Sequence, residues 1–198
     1  MVDLKKEELE NLMKIEGEVR GVVFQTDYNY VLAKEGGEGS KKIEERLRSF
    51  GYKIDYKNIK AMDWCPLGLR IVSLLIIQSV FGWPESEIRK MGETAPKFSF
   101  VVKFLFKLFS PLAKLVKEIP RYWKEHYTIG ELGMVEFDEK NKKLVFCLKN
   151  FEIHPIFCLY LEGYFERVLR FVEVLTTTEE TKCMFKGEPY HEYSFKWK

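Results

Sequence analysis

At 198 residues, with 46% hydrophobic and 15% aromatic side chains, the chain is the size of one large domain and has ample material for a buried core. A net charge of +2, from 32 basic against 30 acidic residues, gives no global electrostatic case for nucleic acid, so no direct nucleic-acid partner is expected. Residues 1–14 lack the apolar run of a secretory signal, and nothing reaches the ~20 apolar residues that span a bilayer; with only four scattered cysteines, a cytoplasmic chain with reduced thiols is expected.

In chain order, residues 3–14 pattern as a short helix with Leu4, Leu9, Leu12 and Met13 apolar among Lys and Glu. Residues 15–24 read as strand-like, with Val19, Val22, Val23 and Phe24 interrupted by Gly17 and Gly21. Gly36-Gly37-Glu38-Gly39-Ser40 reads as a loop, and Ser40 as the N-cap of a helix that runs to Phe50 and stops at Gly51. The run 68–81 (GLRIVSLLIIQSVF) is too short for a membrane span and predicts a buried core helix. Gly82-Trp83-Pro84 breaks it, and Pro84 suits the first position of a helix over 85–91, with the next boundary at Pro96. Two more helices are predicted over 98–110 and 112–125, divided by Pro111 and rich in both aromatic and basic residues.

After Gly130 the rhythm alternates. Residues 134–137 and 143–148 flank Asp138-Glu139-Lys140-Asn141-Lys142 as a β-hairpin. Residues 157–171 return to helical spacing, 172–178 form a β-branched strand, and 182–185 pairs with 193–197 around a Lys186-Gly187-Glu188-Pro189 turn. The predicted fold class is α+β: an antiparallel β-sheet with helices packed on one face and a helical N-terminal half. Residues 1–198 are read as a single domain, with 1–128 mainly helical and 129–198 the α/β part.

The most specific chemical signal lies near the C-terminus. Cys158 opens an apolar helix, Glu180 and Cys183 stand three apart, and His191 follows eight residues later across a turn. Thiolate, carboxylate and imidazole are donors for Zn²⁺, which needs four ligands converging on a tetrahedron. The alternative is two cysteines acting as small buried apolar groups, Glu180 as a surface charge and His191 paired with Glu188 or Glu192. Spacing alone leaves both open.

From Pro155 to Trp197 the pattern resembles the 4-vinyl reductase domain, a small-molecule-binding module that also forms the sensor half of phenol-responsive transcription activators. It is distantly similar to TRAPP transport subunits and to haem-NO-binding-associated domains. The resemblance rests on Cys158, on Gly163-Tyr164 five residues on, on Glu180-Thr181-Lys182-Cys183, and on the Lys186-Gly187-Glu188 turn. His191 stands where the family closes with Cys. The resemblance implies that Cys158, Glu180, Cys183 and His191 hold a structural zinc. It also implies an apolar ligand between helices and sheet, and dimerisation through the N-terminal helices.

His154 is an alternative ligand, or an axial haem ligand by analogy with the haem-related relatives; the plainer reading is a boundary histidine. Cys147 reads as packing and Cys65 lies remote from the cluster. There is no G-x-S-x-G, no dinucleotide fingerprint, no P-loop and no H-E-x-x-H. Phe100, Phe104, Tyr122 and Trp123 are the candidate ligand-lining residues, with ordinary core packing and contact with an anionic membrane surface as the competing readings. The function expected is a non-catalytic sensor or carrier for a small hydrophobic ligand, with a structural zinc. Tetrapyrrole (vinyl) reduction, directly or as an accessory, and membrane tethering are the alternatives.

Overall fold

The computed structural model describes residues 4–98, 112–171 and 176–197. A first helix α1 (Lys6–Met13) leads to a short strand β1 (Glu18–Arg20), which pairs antiparallel with β2 (Trp64–Pro66). Between them runs the long helix α2 (Val22–Ser49), and β2 opens directly into α3 (Leu67–Phe81). Helices α4 (Glu85–Phe98) and α5 (Leu112–His126) complete the helical half. A hairpin of β3 (Glu131–Asp138) and β4 (Lys143–Lys149) follows, then α6 (Ile156–Arg170), β5 (Thr176–Lys182), a single 3₁₀ turn over Met184–Lys186, and β6 (His191–Trp197). The second half forms one four-stranded antiparallel sheet in the order β3-β4-β6-β5. This is the α+β arrangement expected from the sequence, with its helical N-terminal half.

The apolar helix predicted over 68–81 is α3, and its environment explains its composition. Eleven of its residues are buried, because other helices and loops surround it on all sides rather than on one stripe. It ends where Gly82 adopts a left-handed conformation (φ 61°), a cap that glycine supplies without a Cβ penalty. The hairpin expected around Asp138–Lys142 is also present. Asp138 Oδ1 accepts the Asn141 amide N–H at 2.9 Å and Oδ2 accepts the Asn141 side chain at 2.6 Å, which closes the turn.

Some local expectations are replaced. Residues 22–24 belong to α2, not to a strand: β1 stops at Arg20, and the amides of Gly21 and Val22 bond to the carbonyls of Asp63 and Ala61. The β-branched valines here serve a helix that tertiary contacts hold in place, which overrides local propensity. The glycine-rich stretch is a kink within α2, not a loop. Gly36 alone leaves helical geometry (φ 68°, ψ −171°), and the helix resumes directly after it. Pro96 lies inside α4, and of the strand placed at 182–185 only Lys182 is strand, the last residue of β5, which pairs with β6, while Met184–Lys186 form the 3₁₀ turn. The first predicted aromatic helix, with Phe100 and Phe104, and the start of the 172–178 strand lie outside the described residues.

Helices α4 and α6 pack backbone to backbone. A Cβ built on Gly92 would stand 2.0 Å from the Tyr160 carbonyl oxygen, and one on Gly163 2.0 Å from that of Arg89. Only glycine permits this approach. Arg89 then reaches across the seam to Glu162 (3.3 Å) and Glu166, and Glu166 also pairs with Arg170. That close seam fixes where α6 points its two functional faces.

Candidate functional site

One face of α6 borders a cavity of about 100 Å³ between the helical half and the sheet. Helical periodicity supplies the lining: Tyr160, Leu161, Tyr164, Phe165 and Val168 project from α6 at one-, three- and four-residue steps. Leu115, Ile119, Tyr122, Trp123 and His126 project from α5 in the same way, and Val22, Val23 and Thr26 from the first turns of α2. Of the ligand-lining residues named from sequence, Tyr122 and Trp123 stand in this wall. Trp123 is fixed there, its indole N–H donating to the Ile129 carbonyl at 3.0 Å and its ring stacked on Tyr127 at 4.4 Å.

The polar groups of the cavity were not singled out by the sequence reading. Arg70 of α3 lies in the wall and is fully buried. Its Nε donates to Asp27 Oδ2 at 3.2 Å, its Nη1 to the Tyr127 hydroxyl, and its plane lies over the Tyr160 ring at 4.6 Å. The Tyr160 hydroxyl donates to the other Asp27 oxygen at 2.8 Å. Burial pushes the Asp27 carboxyl up, opposed by the Arg70 charge and by these two hydrogen bonds. Among the described residues Arg70 Nη2 has no hydrogen-bond partner. The signal was visible in the sequence: one arginine interrupts the otherwise apolar run GLRIVSLLII, and a lone cation in a buried helix requires a reason.

His126 forms the remaining polar edge. Its Nδ1 lies 2.9 Å from the Tyr122 carbonyl, which can only accept, so Nδ1 carries the proton and Nε2 keeps its lone pair. Burial holds its pKa below the ordinary 6.5 and keeps the ring neutral.

The opposite end of α6 carries the second feature. Cys158 in its first turn, Glu180 of β5, Cys183 just past β5 and His191 at the start of β6 place one donor atom each within 4.8 Å of one another. The two sulfurs are 3.8 Å apart, Cys158 Sγ is 3.8 Å from His191 Nδ1, and that nitrogen is 2.8 Å from Glu180 Oε1. A register shift between Glu180 and Lys182 against β6 helps turn the donors to one side. Cys183 and His191 are buried, at 4% and 2% exposure. Burial, followed by the negative Glu180, pushes the Cys158 thiol up, so the sulfur keeps its proton and the group is closed by its own hydrogen bonds. His154 takes no part: its Nδ1 accepts the Ile156 amide N–H at 3.1 Å. Cys147 is buried within β4 and Cys65 lies in β2.

No protein-family model matches the sequence, and no curated protein matches it. The structure does have relatives. A substituted H-NOX domain from Shewanella oneidensis in the Fe(II)CO ligation state superposes with a TM-score of 0.68 at 12% identity, covering 90% of this chain and 98% of that one. An oxygen-binding H-NOX domain related to soluble guanylate cyclases gives 0.65 at 13% identity, covering 90% and 95%. An Fe(II) unliganded H-NOX variant from K. algicida gives 0.65 at 11%, covering 90% and 96%. The chain has the H-NOX fold. At these identities the likeness is one of architecture.

Two expectations are corrected by that likeness. The neighbours are uniformly H-NOX domains, so the resemblance to the 4-vinyl reductase family is not upheld; it rested on a few residues of one helix and one hairpin, whereas the H-NOX likeness spans nine-tenths of the chain. The structural zinc was implied by that resemblance and is withdrawn with it, since the domains that share this fold are described by an Fe(II) centre. The physical reason is that Cys158, Glu180, Cys183 and His191 do meet, yet they satisfy one another by hydrogen bonding, so their convergence does not by itself require an ion.

Proposed function

We propose that this chain is a non-catalytic sensor domain that binds a small, largely apolar molecule in the cavity between α2, α5 and α6. The observation that carries the reading is an apolar cavity with a few polar side chains in its wall, Arg70, Tyr122 and His126, the usual composition of a site that orients a ligand by a few polar contacts. The H-NOX fold supports it, because its named members are described in complexes with small gaseous ligands such as CO and O₂.

Those domains hold their iron as haem, and the residues here do not fit that group. The cavity measures about 100 Å³, well under the roughly 300 Å³ at which ordinary ligand pockets begin, and a porphyrin needs more than an ordinary ligand. His126 is the one histidine in the cavity wall, and Trp123, Tyr127, Tyr160 and Phe165 make the rest of that wall largely aromatic. The sensor is therefore read as haem-free. We also take residues 1–198 as one domain, supported by an apolar core that is continuous from Leu4 through α3 to Phe195.

A thermal-shift series tests the proposal. Apolar molecules of about four or five heavy atoms should raise the melting temperature in a concentration-dependent way, as any ligand of the native state does. Haemin should give neither stoichiometric binding nor a haem-protein absorption band. Stoichiometric haem uptake, or no response to any small apolar molecule, would refute the reading.

The convergence of donors at Cys158, Glu180, Cys183 and His191 favours a second role for the same fold, a cation site fastening the β5–β6 turn to α6. The residues are proposed and the ion is left open. Cobalt(II) added to the reduced protein should produce a thiolate charge-transfer band that is absent in Cys183→Ser. An unchanged spectrum would remove the site.

A further inference from the structure

We infer that the facing thiols of Cys158 and Cys183 form a site for a trivalent, thiol-seeking oxyacid of the type of arsenous acid, As(OH)₃, which condenses with both sulfurs. The inference rests on the donor group at the start of α6 being a binding site and adds a ligand class that is not a cation. Cys158 lies in the first turn of α6 and Cys183 just past β5, and both are free thiols. They are 25 residues apart in sequence, yet their sulfurs stand 3.8 Å from one another. Two sulfurs each held about 2.3 Å from one shared tetrahedral atom stand about that far apart. Arsenic–sulfur bonds are of similar length, so pyramidal arsenic asks for only a small closure of the pair. Access is unequal: Cys158 is half-buried and Cys183 buried, so Cys158 meets the ligand first and Cys183 closes the ring.

The condensation balances without a redox step. Two thiols and As(OH)₃ give (RS)₂AsOH and two water molecules. Two As–O and two S–H bonds break, two As–S and two O–H bonds form, and arsenic stays trivalent. Charge separates this ligand from a divalent cation, which displaces thiol protons into solvent and leaves a charged centre inside the protein. As(OH)₃ is uncharged at neutral pH, and so is its adduct, so no buried charge is added that needs balancing. The hydroxyl that remains on arsenic has an acceptor within the same group in Glu180, whose Oε1 lies 2.8 Å from His191 Nδ1. Cys65 and Cys147 stand outside the group, so no third sulfur is at hand to replace that hydroxyl.

The test titrates the reduced full chain with arsenite and reads its intact mass under native conditions. The expected product gains one AsOH and loses two hydrogens per chain, and Cys65→Ser gives the same product. Cys158→Ser and Cys183→Ser are each expected to bind arsenite at least about a hundredfold more weakly, as when one of two linked contacts is lost. Should a serine variant fail to fold, alkylation of the native protein decides: arsenite is expected to shield Cys158 from iodoacetamide and to leave Cys65 reactive. No adduct at saturating arsenite, an adduct of native affinity in either serine variant, or equal shielding of Cys65 overturns the inference. A thiolate–cobalt band without an arsenic adduct overturns it and leaves the cation reading intact. An adduct without a cobalt band supports it and removes the cation reading.

Discussion

Arg70 and His126 give the cavity its chemistry, and they differ in what they ask of the surroundings. Arg70 is tied into a buried pair and keeps its charge; His126 is held neutral by burial, with Nδ1–H committed to the Tyr122 carbonyl. The histidine therefore couples the fold to pH. Its folded pKa lies below 6.5, so on acidification the unfolded chain takes the proton first, and stability falls as pH drops below that value. His154, also depressed by burial, adds in the same direction. Melting temperatures should decline between pH 7 and pH 5.5, and His126→Gln should flatten part of that decline while leaving the value at pH 8 nearly unchanged. A variant with the native slope would show that His126 is solvated. Of these residues, the sequence offered Tyr122 and Trp123 through their aromatic character. It hid Asp27, whose role depends on partners 43 and 133 residues away that no local pattern reveals, and His126, whose role comes from its burial.

Among the elements, α6 does the most to organise the protein. Its first turn supplies Cys158 to the donor group and its later turns supply Tyr160, Tyr164 and Val168 to the cavity. What fixes its position is the seam with α4, where Gly92 and Gly163 let backbones meet. Gly163→Ala should destabilise the chain by about 2 kcal/mol, because overpacking the Arg89 carbonyl outweighs alanine's better helix propensity. Denaturant unfolding reads the change directly; a stability equal to or above the native protein would show that the helices can separate without loss. Elements with strong, self-contained signals were legible: the apolar run of α3, the Asp138–Lys142 turn and the helical spacing of α6. Those set by long-range pairing were not. The β1–β2 ladder joins Val19 to Cys65 across all of α2, and it frees Val22 and Val23 to begin a helix that their β-branched character argues against.

For the whole molecule, the comparison of motif and architecture matters most. A Cys, Gly, Glu-x-x-Cys and His pattern brought the same four side chains together in space, yet pointed to a family whose likeness does not extend through the chain. The fold is shared with H-NOX domains over 90% of the chain at 12% identity. Shared architecture leaves the cofactor open, because function resides in the side chains of the site. Here the space between helices and sheet is a small cavity of about 100 Å³ with a largely apolar and aromatic wall that includes Arg70 and His126. The central claim is that this cavity takes the ligand, and methyl-resolved NMR of the full chain during titration with butanone tests it most directly. The account predicts saturable shifts confined to the methyl groups that line the space, those of Val22, Val23, Leu115, Leu132, Leu161 and Val168 among them. Shifts scattered over the surface, or none at saturating ketone, would contradict it.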